Sequence, residues 1–205
     1  MKKTKIAVLV SGGGTNLQAL IDAEKKGIIK SGEISLVISN KSGAYALERA
    51  KAAGIKAETV LKSSLGSQEA FENEIIRLIE ENGIELIVLA GFLSILSERF
   101  TQKYPRRIIN VHPSLIPSFC GKGYYGLAVH KAALDYGVKV TGATVHFVNE
   151  IPDGGEIIMQ KAVAVRKNDT PETLQKRVMV SAEWRILPLS VEKVSRAIAL
   201  ENKRT

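Results

Sequence analysis

Five consecutive apolar residues, Ile6 to Val10, run straight into Ser11-Gly12-Gly13-Gly14-Thr15-Asn16, after which Leu17, Leu20, Ile21 and Ala23 recur at helical spacing up to Gly27. A strand without a polar face has to be covered on both sides, as a central strand of a parallel sheet is. The glycines then let the chain turn directly into a helix. The same alternation continues along the chain. Residues 34–39, 57–61, 86–89 and 107–111 read as further strands, and residues 44–53, 67–82 and 97–104 as helices, with Gly54 and Gly83 as stops. The expectation is an α/β protein with a Rossmann-like doubly wound, mostly parallel sheet.

After Pro113 the pattern changes. Residues 113–126 are turn-rich, 127–136 read as a helix, and 140–148 and 157–165 as two strands joined through Asp153-Gly154-Gly155, an antiparallel pair extending the sheet. Thr170-Pro171-Glu172-Thr173 opens a long C-terminal helix, with Thr170 as N-cap and Thr173 in place of the Glu or Gln of a full capping box. That helix is expected to run to about 187, kink at Pro188 and continue to about 200. With 205 residues the chain suits one domain, residues 1–205, built of two fused halves, 1–111 and 112–205.

Composition narrows the function. Apolar residues make up 45% and charged residues 24%, as in ordinary globular proteins, and no apolar stretch approaches the ~20 residues that span a bilayer. No membrane partner is expected. Lys2, Lys3 and Lys5 precede too short an apolar run for a secretory signal, and the single Cys120 fits a reducing compartment, so the expected location is cytoplasmic. The net charge of +8 is spread over scattered Lys and Arg, and aromatics are only 5%, which disfavours a stacking platform for nucleic acid and favours a small anionic ligand. No His, Cys, Asp or Glu pair has metal-ligand spacing, so no metal is expected.

The glycine loop is the natural place for that anion. Its backbone N–H groups can wrap a phosphate while the following helix adds a favourable dipole, the alternative being a tight turn without a ligand. A nicotinamide dinucleotide is not expected. Leu17 stands where the last glycine of GxGxxG belongs, and the second strand ends Ser39-Asn40 rather than in an acid. A second constellation lies at Asn110-Val111-His112-Pro113. On a strand, Asn110 and His112 share a face, and Pro113 ends the strand so that its tip opens into a cleft. A His at a strand end is by itself more often a structural hydrogen-bonding residue, but Asn110 beside it offers amide donors for an oxyanion and His112 can exchange protons near neutral pH. Asp153 is the third candidate, either a turn residue or a carboxylate that raises the pKa of His112. His146 shares a strand face with Thr144 and either supports the site from behind or is plainly structural. His130 reads as an inert surface residue of its helix.

Four segments occur in order: Ser11-Gly12-Gly13-Gly14-Thr15-Asn16-Leu17, Ala90-Gly91-Phe92-Leu93-Ser94-Ile95-Leu96-Ser97, Asn110-Val111-His112-Pro113-Ser114-Leu115 and Asp153-Gly154-Gly155. Together they resemble the phosphoribosylglycinamide formyltransferase family, folate-dependent enzymes of de novo purine synthesis, over about residues 5–188. The resemblance implies the formyltransferase fold and transfer of the formyl group of 10-formyltetrahydrofolate, a co-substrate, to the amine of glycinamide ribonucleotide. It implies catalytic roles for Asn110, His112 and Asp153, and places the ribonucleotide on Gly14, Thr15, Asn16 and Glu183. It places the folate on Leu93, Ser94, Ile95, Leu96, Asn110 and residues Asn149, Glu150, Ile151, Pro152 and Asp153. The half 1–111 would then bind phosphate and the half 112–205 folate, the enzyme being a monomer or weak homodimer.

Some positions depart from that pattern. Gln68 and Ser94 stand where many members have Arg, Ser118 where they have Lys, and Trp184 rather than His follows Glu183. Residues 119–126 also form a longer loop than in some members, in which Lys122 could take over an anion contact. Rival readings are a formyltetrahydrofolate hydrolase, another amine formyltransferase, or a noncatalytic phosphate-binding module.

Overall fold

The computed structural model describes residues 2–203. The first half alternates β1 (Thr4–Val10), α1 (Thr15–Lys25), β2 (Gly32–Ser39), α2 (Tyr45–Ala52), β3 (Lys56–Thr59), α3 (Lys62–Leu65), α4 (Gln68–Glu81), β4 (Leu86–Leu89), α5 (Glu98–Lys103) and β5 (Ile108–His112). Then come α6 (Leu127–Tyr136), β6 (Val140–Phe147), β7 (Ile157–Ala164), α7 (Pro171–Val178), a π-helical turn (Met179–Glu183) and α8 (Trp184–Glu201). The seven strands form one sheet in the order β3-β2-β1-β4-β5-β6-β7. Pairings from β3 to β5 are parallel, whereas β5–β6 and β6–β7 are antiparallel. The expected fold class is therefore the observed one, apart from the short helix α3, which was not anticipated.

The apolar run of β1 is explained by its position at the centre. Ile6, Val8 and Val10 face a core shared with α1, α2 and α8, while Ala7 and Leu9 face a second core filled by Phe71, Ile75 and Ile79 of α4 and Phe100 of α5. The strand is covered on both faces because its chain order reverses there: β2 lies on one side of β1 and β4 on the other. At such a switch point the loops leaving the carboxyl ends of neighbouring strands diverge and open a crevice. The glycine loop after β1, the segment after β4 and the tip of β5 all open into that crevice.

The last helical stretch differs from expectation. Its start is as read, with Thr170 and Thr173 reciprocally capping the first turn. Its irregularity, however, falls at Met179–Glu183 and not at Pro188, which sits inside α8. Trp184 N–H bonds to the Met179 carbonyl five residues back, the signature of a π turn. Pro188 lacks only the donor that would reach Trp184, a loss absorbed one turn after this widened segment.

Candidate functional site

The glycine loop is held by packing. Gly14 has φ 70°, and a Cβ there would lie 2.6 Å from that of Ala46 on α2, so both conformation and space require glycine. The Ala46 N–H donates to the Gly12 carbonyl at 3.1 Å and Arg49 Nε donates to the Gly13 carbonyl at 2.8 Å. Gly14 precedes the first turn of α1, and no side chain caps the first amides of the helix, an arrangement that suits an anion. Gly14 itself does not line the cavity in front of the loop; Thr15 and Asn16 do. Asn16 is buried and donates to Glu183 Oε2 at 2.7 Å, so two residues separated by most of the chain meet. Burial pushes the Glu183 carboxyl up, and the Asn16 hydrogen bond only partly offsets this.

The second constellation converges on one carboxylate. β5 ends at His112, and Asn110 and His112 point to the same side of it. Asp153 Oδ2 lies 3.4 Å from His112 Nδ1 and accepts the Gly121 N–H at 2.8 Å. Asp153 Oδ1 lies 3.4 Å from Asn110 Nδ2 and 3.5 Å from His146 Nε2. His146 stands opposite Asn110 in the antiparallel register of β5 and β6, and their side chains are 3.2 Å apart. Its Nδ1 bonds to the Phe147 carbonyl at 2.8 Å, so His146 reaches the trio from behind. The long return through β6 and residues 148–156 is what places Asp153 here, with φ 56° in its turn.

Electrostatics correct one expectation. Burial pushes the His112 pKa down and outweighs Asp153, so the net shift is downward rather than upward. For Asp153 burial alone would raise the pKa, but the hydrogen bonds from His146 and Gly121, with the charge of His112, together hold it below the usual carboxylate range. His112 Nε2 meets the Phe119 carbonyl at 2.9 Å, so in this structure that carbonyl occupies the nitrogen.

A cavity of about 710 Å³ joins the two constellations, lined by Thr15, Asn16 and Glu183 at one end and by Asn110, His112 and Asp153 along its side. Gly91, Phe92, Leu93 and Ile95 line it while Ser94 and Leu96 do not. Ser94 Oγ instead accepts from Asn40 at 2.7 Å, and Leu96 is buried in the core against α4 and α5. Of residues 149–153, Pro152 and Asp153 reach the cavity; Asn149 Oδ1 accepts from the Ile151 N–H, and Asn149, Glu150 and Ile151 do not line it. Lys122 is exposed and outside it. Gln68 bonds to Glu72 and to the Ile95 carbonyl, bracing the wall rather than meeting an anion.

The placement of His130 at the surface is wrong. The residue is fully buried in α6 against the cavity, its pKa pushed down to about 4, first by burial and then by the charge of His112. The signal was in the sequence: Val129, His130 and Ala133 share the buried helix face. Gln175 and Met179, also in the lining, were missed because nothing in the sequence marks the π turn. Among the described residues no group of His, Cys, Asp and Glu is arranged to hold a metal, and no helix is long and apolar enough to cross a membrane.

A doubly wound sheet whose uncapped α1 start and Asn–His–Asp trio face one cavity is the arrangement of an α/β enzyme of the formyltransferase class. The Formyl transferase family matches residues 4–191, and the chain belongs to that family. It is 43% identical over 186 residues to phosphoribosylglycinamide formyltransferase of Escherichia coli, covering 91% of this chain and 84% of that one. It is 47% identical over 193 residues to the trifunctional purine biosynthetic protein adenosine-3 of Gallus gallus, covering 94% of this chain but only 18% of that relative. The crystal structure of glycinamide ribonucleotide transformylase 1 from Symbiobacterium toebii superposes with a TM-score of 0.89 at 39% identity, over 95% of this chain and 89% of that one.

Proposed function

We propose that this chain transfers the formyl group of 10-formyltetrahydrofolate to the amine of glycinamide ribonucleotide, giving the N-formyl product and tetrahydrofolate in de novo purine synthesis. The observation that carries the reading is the meeting of Asn110, His112 and His146 on the single carboxylate of Asp153, beside a cavity that ends at the start of α1. The phosphate rests on the first amides of α1, with Thr15, Asn16 and Glu183 on the sugar side, and the pterin lies against Leu93, Ile95 and Pro152. The half 1–111 then supplies the phosphate wall together with Leu93, Ile95 and Asn110, and the half 112–205 supplies His112, Pro152, Asp153 and Glu183, so the site is shared between the two halves. No metal or nicotinamide is required, and a cytoplasmic location accords with the lone cysteine.

In the reaction the amine adds to the formyl carbon and the carbonyl electrons move to oxygen. The Asn110 amide donates to that oxyanion, for which it turns from Asp153 and His146. His112, kept neutral near pH 7 by burial, takes the proton shed by the attacking nitrogen. The imidazolium is stabilised by Asp153 and passes its proton to the folate nitrogen as the carbon–nitrogen bond breaks. This transfer requires the Phe119 carbonyl to release Nε2. Incubation with both substrates, following tetrahydrofolate release, tests the reading. Release that needs the ribonucleotide supports it, and release without it would identify a hydrolase.

A further inference from the structure

The π turn aligns three side chains along the cavity. An α-helix turns about 100° per residue, so positions 175, 179 and 183 would drift across about 80° of its surface. A turn closed by i→i+5 bonds rotates less per residue and takes part of that drift back. Gln175, Met179 and Glu183 accordingly all line the cavity. Glu183 accepts from Asn16 at 2.7 Å, and the Thr15 hydroxyl meets Met179 Sδ at 3.4 Å. The rungs thus step from the second residue of α1 to the first, and the third rung, Gln175, falls beyond the helix start. An anion bound by those first amides lies there. Gln175 is half-buried, and its side-chain amide has no protein partner among the described residues. Asn16 Oδ1, buried on the Glu183 rung at the far end of the row, has none either.

We infer that Gln175 is a further binding residue for the substrate phosphate, donating its Nε2–H to a phosphate oxygen from the side opposite the α1 amides. The inference rests on the reading of a phosphorylated substrate given above. It assigns the π turn a purpose: the turn keeps Gln175 and Glu183 on one line, so that one helix serves both the phosphate and the sugar.

The test is Gln175→Leu, with Gln175→Lys as the variant that restores a donor. A hydrogen bond to a charged group is worth enough that the KM for glycinamide ribonucleotide should rise about tenfold in Gln175→Leu. Its kcat, the KM for formyl folate and the thermal midpoint should stay unchanged, and Gln175→Lys should recover most of the loss. Glycinamide riboside, which lacks the phosphate, should react equally with wild type and Gln175→Leu. An unchanged ribonucleotide KM, or an equal loss on the riboside, would overturn the inference. Calorimetric titration with inorganic phosphate provides an arm independent of turnover. Weaker phosphate binding by Gln175→Leu supports the contact even if the wild type proves inactive on the ribonucleotide, and equal binding overturns it.

Discussion

The two ends of the cavity are built by opposite means. At the glycine loop the uncapped groups are backbone amides, held in place by close packing of Gly14 on Ala46 and by hydrogen bonds to the Gly12 and Gly13 carbonyls. At the trio they are side chains from β5, β6 and the segment after β6, fixed by attraction to one carboxylate. The first wall is set by sterics and needs no change of charge. In the proposed reaction the second changes protonation, and its geometry depends on the charges it carries. Substitutions at the first should therefore act on substrate affinity, and substitutions at the second on turnover.

The largest expected effect tests the second wall. His112→Ala should lower kcat by about 10²–10⁴, the usual contribution of a positioned acid–base group, while KM for the ribonucleotide changes little. Near-normal turnover of a folded His112→Ala protein would remove the imidazole from the mechanism. Asp153→Asn should also cut kcat severely. Because Asp153 is a force raising the His112 pKa against burial, its neutralisation should move that pKa further down, readable by NMR titration. A rise would mean that the carboxylate does not act on His112.

The same contrast decides what could be read from the chain. The glycine loop was legible because its function lies in a contiguous run: an apolar strand, glycines and a helix start are neighbours in sequence. Asn110 and His112 were legible as a pair because strand period places both on one face. Their meeting with Asp153 was not, since it depends on the course of the antiparallel return through β6, and the cross-strand register that sets His146 opposite Asn110 has no local signature. The downward shift of His112 was missed for a related reason. A neighbouring carboxylate can be guessed from composition, whereas burial at 4% exposure is a tertiary property. The π turn was illegible because Pro188 offered a stronger local reason for a kink.

A next-largest effect belongs to the glycine loop. Gly14→Ala forces a side chain into the left-handed region, which costs about 1–3 kcal/mol, and drives its Cβ to 2.6 Å from Ala46. The loop or α2 must shift, so ribonucleotide KM should rise roughly tenfold or more, with a lowered thermal midpoint. The kcat at saturation should be far less affected than in His112→Ala. Equal losses of kcat in the two variants would show that the two walls are not separable.

His130 lies beside the cavity but belongs to neither wall by charge at neutral pH, and it supplies a test in stability alone. Its folded pKa is about 4 against an ordinary value of 6.5, so between those values the unfolded chain binds the extra proton. The folded state is therefore favoured fully above pH 6.5 and loses this contribution as pH falls toward 4. His130→Phe should remove that part of the acid sensitivity, seen as a smaller drop in urea midpoint between pH 7 and pH 5. An unchanged pH dependence would show that the ring titrates normally.

The smallest effect sharpens the claim that the phosphate wall is held from behind. Arg49 touches no cavity residue directly. Its Nε donates to the Gly13 carbonyl, its Nη1 donates to Gln18, and its guanidinium lies 4.9 Å from the Tyr45 ring. Arg49→Ala removes these partly exposed contacts, so stability should fall by only about 1 kcal/mol. The Gly13 carbonyl then turns to water and the loop gains freedom, which raises ribonucleotide KM by about two- to fivefold, the range set by a fraction of one hydrogen bond. The kcat should not move, because nothing in the Asp153 network depends on α2. A KM effect as large as that of Gly14→Ala would mean that the Arg49 hydrogen bonds, rather than the packing of Gly14 on Ala46, hold the loop.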